Sequence, residues 1–180
     1  MSLTFDEKKA TQAAGRLLER SGRRMDAMKL MRMLYLADRE ALLRWGRTIS
    51  TDSFLFLKHG PALSQVLNLI TDGDDPRQEP SQWNAHIARH QDLALDLRGD
   101  LDYRLLSEEE LALLDEIVSL HGAKTPWELA DLTRALPEWR DPQGGAIPFG
   151  AQDILTAHGK SKPAPAAEAD PEEVYLNFLW

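Results

Sequence analysis

No cysteine occurs in the 180 residues, which removes disulfides, thiolate metal ligands and a thiol nucleophile together. No apolar run approaches the ~18 residues needed to cross a bilayer. The opening MSLTFDEKK has neither an apolar h-region nor a cleavage signature, so no secretory peptide is expected. These absences point to a soluble, cytoplasmic protein. A domain of this length can bury about two-thirds of its unfolded surface and needs no staples. Also missing are G-x-S-x-G, G-x-x-x-x-G-K and G-x-G-x-x-G. Neither a nucleophile elbow nor a phosphate-cradling loop is therefore expected. No internal repeat is visible, and no cofactor is implied.

Charge is present but divided. The net charge of −8 combines 12 Lys and Arg against 7 Asp and Glu in residues 1–60 with 9 against 22 in the remainder. An acidic field opposes nucleic acid, whose binding rests on phosphate neutralisation, and it steers a basic protein partner instead. The basic N-terminal third keeps one rival in view, a DNA-binding transcriptional regulator that uses these helices.

Periodicity predicts a mainly α (α+β) fold, a compact helical domain with a small β-hairpin or short sheet. Thr4 and Glu7 have capping-box spacing and open a helix that runs to Ser21-Gly22. Asp26 reads as the N-cap of a longer helix reaching Trp45 and closed by Gly46. Its apolar stripe is wide enough to be central to the core, where its methionines pack rather than form a sticky groove. Phe54–Leu57 reads as a short buried strand, and Pro61 as the first residue of the next helix. Leu93, Leu95 and Leu97 alternate with polar or small residues as in a half-buried strand, with Gly99-Asp100 as its turn. Ser107/Glu110 and Thr125/Glu128 are two further capping boxes, the second with Pro126 at the first helical position. The stretch from Pro137 reads as a loop, and a last small helix covers roughly 148–158.

Glu108, Glu109 and Glu110 lie in a helix first turn, where capping and the macrodipole explain them. His86 and His90 have metal-ligand spacing if helical, but no third ligand is evident; a metal-dependent hydrolase is the remaining rival reading. Lys58-His59-Gly60-Pro61 places two cationic side chains before an expected helix N-terminus. That is either an anion site or a solvated turn.

The blocks K-L-M-R-M-L-Y-L-A-D-R-E (29–40), W-G-R-T-I-S-T-D (45–52) and K-H-G-P-A-L-S (58–64) together resemble the Panacea domain of SocA-like antitoxins and related phage-associated proteins. L-S-E-E-E-L-A-L-L-D-E-I (106–117), T-P-W-E-L-A-D-L-T (125–133) and Pro137-x-Trp139 continue the likeness, which covers about residues 5–155. The resemblance implies an antitoxin without enzymatic activity. It would neutralise a cognate toxin encoded nearby by direct contact, and SocA-type members are similar to adaptors that hand the toxin to the ClpXP protease. Two departures stand out. The turn has His59 where the family usually has an aromatic, and Arg134 stands where a histidine is usual. Gly60 and Pro61 then belong to the domain's turn, and Lys58, His59 and Arg134 become candidates for the partner surface.

The expected division is a domain over 1–158, a Pro/Ala-rich linker over 159–171 and an apolar peptide over 172–180. In the last, Asp170, Pro171 and Glu173 have the order of a helix start. Val174, Tyr175, Phe178 and Leu179 fall on one face, and Trp180 follows. Tyr175, Phe178, Leu179 and Trp180 are the second group of partner-binding candidates.

Overall fold

The computed structural model describes residues 4–72 and 81–160. The linker and terminal peptide expected beyond position 160 lie outside them, with Tyr175, Phe178, Leu179 and Trp180. Seven helices and six strands are present among the described residues, so the α+β expectation holds, with more sheet than a single hairpin.

Helix α1 (Glu7–Arg20) starts from Asp6, whose carboxylate accepts from the Lys9 amide at 3.0 Å. The expected Thr4/Glu7 box is therefore not the cap. Asp6 reaches the free amides first, and Glu7 instead accepts from the Trp83 amide at 3.1 Å. Strand β1 (Arg24–Asp26) follows, too short to reveal a period. Asp26 caps helix α2 (Ala27–Trp45) through the Met28 and Lys29 amides, and left-handed Gly46 ends it. An αL terminus suits glycine because no Cβ opposes it. Helix α2 buries residues all round its circumference. Truncating one of its core leucines, such as Leu34→Ala, should cost about 2–5 kcal/mol.

Strands β2 (Phe54–Leu57) and β3 (Gly60–Leu63) form an antiparallel hairpin turned at Lys58 and His59. Pro61 is thus not the start of a helix. It faces Phe56 across the hairpin on an edge strand, the one place where a sheet tolerates a missing N–H. Helix α3 (Ser64–Asp72) begins three residues later. Short helix α4 (Gln82–His86) leads into β4 (Ile87–Arg89) and β5 (Ala94–Leu97). His86 closes the helix and His90 follows the strand, so they do not share a helical face. Leu93, expected in the strand, sits before it with φ 63° and is exposed.

Helices α5 (Glu108–His121) and α6 (Pro126–Arg134) carry the two expected capping boxes. The loop expected after Pro137 contains β6 (Ile147–Phe149), and α7 (Ala151–Ala157) starts later than expected. The sheets run β1-β5-β4 and β3-β2-β6, all antiparallel. On the second, alternate residues Phe54 and Phe56 share a face with Phe149, Tyr35 and Trp139. Phe56 stacks on Phe149 at 3.7 Å between centroids, and Trp139 meets Phe56 edge-on at 5.3 Å.

Candidate functional site

The charge division seen along the chain is resolved inside the molecule. Arg16 and Arg20 reach Asp115, Arg44 reaches Glu116, and Lys9 and Arg47 converge on Glu110, all on α5. Glu110 is 1 % exposed. Burial pushes its pKa up, but the bonds from Lys9 and Arg47 outweigh this and hold it below the ordinary value. Five of the twelve cations in residues 1–60 are thus paired with carboxylates of α5.

Three buried polar clusters fix the surroundings of the β2–β3 turn. Glu138, 5 % exposed, accepts from Tyr35 Oη at 2.8 Å and from Arg39 Nε at 2.5 Å. Burial raises its pKa, yet the Arg39 bond wins and the carboxyl stays low. This clamp ties α2 to the chain leaving α6. Asp38 accepts from the Ile49 and Ser50 amides and from Ser50 Oγ. Burial lifts it to about 6 despite those bonds.

Asp52 answers the question raised by Lys58-His59-Gly60-Pro61. Its carboxylate accepts from the Gln65 and Val66 amides, both at 2.9 Å. The N-terminus of α3 is therefore occupied by the chain's own carboxylate, and the anion-site reading of that terminus falls. Burial carries Asp52 to about 7, against the pull of these amides.

The turn itself packs on α6. His59 meets Trp127 edge-on at 5.4 Å, and Trp127 is 61 % exposed. Gly60 has φ 122°, and a Cβ there would lie 2.7 Å from Thr133 Oγ1 and 2.9 Å from Arg32 Nε. Only glycine allows the hairpin to come this close to α2 and α6. Arg32, 4 % exposed, donates from Nε to His59 O at 3.2 Å and from Nη1 to Pro61 O at 2.5 Å. Both acceptors are carbonyls of the hairpin. Burial lowers its pKa to about 10, helped by the charge of Arg134. Arg134 is exposed and pairs with Asp131 at 2.5 Å.

Of the sequence candidates, His59 and Arg134 thus belong to one face, while Lys58 is exposed on the same turn. Arg32 and Trp127 were not singled out from the sequence. A charged residue inside the apolar run of α2 was the available signal for Arg32. His90 bonds Asp96 at 2.6 Å, and among the described residues no group of His, Asp and Glu could hold a metal ion. A cleft of about 500 Å³ lined by Arg20, Arg24 and Lys29 has its cations engaged already. Arg20 and Arg24 pair with carboxylates, and Lys29 donates to Gly122 O.

The arrangement defines an α+β domain in which a hairpin turn packs on α6 beside an exposed tryptophan. Residues 30–140 match the family model described as Antitoxin SocA-like, Panacea domain, and the chain belongs to that family. The match begins after α1 and ends just past the Glu138 clamp. No curated protein and no solved structure matches the chain. No described helix is long and apolar enough to cross a membrane.

Proposed function

We propose that this chain is an antitoxin that neutralises a protein toxin by direct, non-enzymatic binding in the cytoplasm, the toxin being encoded by a neighbouring gene. The observation that carries the reading is the SocA-like Panacea match over residues 30–140. The face formed by the β2–β3 turn and α6 supports it. Its exposed Trp127 and Arg134 are residue types that concentrate binding energy at protein interfaces. The net charge of −8 adds a long-range field that attracts a basic partner. Delivery of the bound toxin to ClpXP is the mode of disposal that SocA-type relatives suggest for the same complex.

Co-expression with the adjacent gene product tests this. Growth should be restored, the two chains should co-purify, and the toxin's intact mass should be unchanged. Recovery of a covalently modified toxin, active again once the modification is reversed, would refute direct neutralisation. Toxin half-life in cells with and without ClpX then reads the disposal mode.

A further inference from the structure

Leu93 is a poor choice of residue for its place. The β4–β5 loop closes through His90 N to Ala94 O at 2.9 Å and Leu93 N to His90 O at 3.1 Å. Such bonds mark a three-residue hairpin loop whose last residue forms a bulge in the left-handed region, a position suited to glycine. Leu93 occupies it with φ 63°. A Cβ there crowds the following carbonyl, so a bulky residue is an outlier.

An exposed leucine is ordinary in itself. Here the side chain is 52 % exposed, and little burial offsets the backbone cost. The loop is also held in place. Leu93 O accepts from the Ala27 amide at 2.9 Å, while Asp92 accepts from Ala94 N at 3.2 Å and from Arg24 Nη2 at 2.8 Å. Strain over-determined in this way clusters at binding sites.

The Ala27 bond joins Leu93 to the start of α2, where Asp26 and Lys29 line the cleft of about 500 Å³. Val118, Gly122 and Ala123, at the end of α5, also line it, and Leu120 between them is 57 % exposed. Lys29 Nζ donates to Gly122 O at 2.5 Å and ties these two sides together. Two of the four large apolar side chains exposed among the described residues therefore border one cleft. Trp127, a third, follows Ala123 by four residues and so lies within about 14 Å of it. A protein partner of ordinary footprint, about 800 Å² per side, that covers Trp127 extends over this cleft as well.

We propose that Leu93 and Leu120 form a second anchor for the toxin, gripping an apolar ridge that seats in the cleft and continues the contact made at Trp127. This rests on the antitoxin reading and adds a surface to it. The ridge is apolar because Arg20, Arg24 and Lys29 are engaged within the chain, whereas Met25, Val118 and Ala123 give the cleft apolar wall. A leucine fixed before binding loses little freedom when covered, which favours the complex.

Calorimetry of the full chain with the adjacent gene product tests this, using L93G, L93N, L120S and the control L105A. Leu105, 44 % exposed, precedes α5 and so lies at the other end of that helix from the cleft, about 20 Å away. Glycine and asparagine both accept the left-handed region. L93G and L93N should weaken binding about tenfold or more while the melting temperature holds or rises. L120S should weaken it similarly, and L105A should stay within about twofold.

Unchanged binding in L93G or in L120S overturns the proposal. A lower melting temperature in both L93G and L93N assigns Leu93 to the chain's own fold, terminal peptide included, and also overturns it. An equal loss in L105A indicates general adhesion, with the same result. If the chain alone sediments as a dimer that L93G dissociates, and toxin affinity is unchanged, the cleft holds a second copy and the toxin anchor is rejected. Failure of the unaltered chain to bind the adjacent gene product at all refutes the antitoxin reading itself, a separate result.

Discussion

Replacing Glu138 with alanine removes one carboxylate and leaves two buried donors behind. Arg39 Nε and Tyr35 Oη both lose their acceptor in a site that is 5 % exposed. His158 Nε2 also lies against Arg39 Nη2. Breaking a buried ion pair from one side typically costs about 3–5 kcal/mol. For a domain of this size each kcal/mol moves the melting temperature by about 2–4 °C. E138A should therefore lower it by roughly 6–20 °C. Changing Arg39 and Glu138 together to methionine should recover most of that loss, since no uncompensated charge remains. Differential scanning calorimetry reads both variants. A fall of less than about 2 °C in E138A would show that the clamp carries little of the fold. Because Glu138 fixes the chain leaving α6, E138A should also reduce neutralisation, in proportion to the unfolded fraction.

Three further outcomes are expected. Asp38 and Asp52, raised by burial to about 6 and about 7 from an ordinary 3.8, keep protons in the folded state that the unfolded chain has released. Their stabilisation is complete below that ordinary value and is lost as pH rises towards 7; Glu110 and Glu138, held low, oppose this up to 4.5, and His121, lowered by burial, opposes it just under 6.5. The urea midpoint should fall across that window and D52N should flatten the slope; an unaltered slope in D52N would remove Asp52 from the account. Replacing Lys58 and His59 with alanine should weaken toxin binding while stability changes by no more than about 0.5 kcal/mol, and intact binding would mark the turn as merely solvated. Truncation after Glu168 should preserve the melting temperature and lose neutralisation or toxin turnover; a large drop in melting temperature would assign the terminal peptide to the core instead.

The parts of the fold that were legible in the sequence are those written locally. Asp26 and Gly46 bracket α2, and Ser107/Glu110 and Thr125/Glu128 are complete capping boxes within four residues. Strands β1, β4 and β6 have three residues each and cannot display a period. Pro61 misled because proline fits a first helical turn and an edge strand equally well. The site was harder to read, since its logic lies in distant partners. Asp52 caps α3 from before β2, and Glu138 clamps Arg39 across 99 positions. The basic N-terminal third could be counted from the sequence, but only packing shows that five of its cations pair with α5.

The outer edge of β3 has no backbone left to offer. Pro61 lacks an N–H, Arg32 holds the carbonyls of His59 and Pro61, and the Leu63 amide points to Met31 Sδ at 3.3 Å. At the opposite edge, β6 carries Pro148. A partner is thus discouraged from extending this sheet with a strand of its own, the mode in which main-chain pairing supplies affinity whatever the sequence. Under the proposed antitoxin function, recognition would fall to side chains such as those projecting from the turn and α6. Such residues could be exchanged one at a time without disturbing the hydrogen-bonded frame beneath them, and on that reading the scaffold would be retargeted to a new toxin by point substitution while its fold stayed fixed.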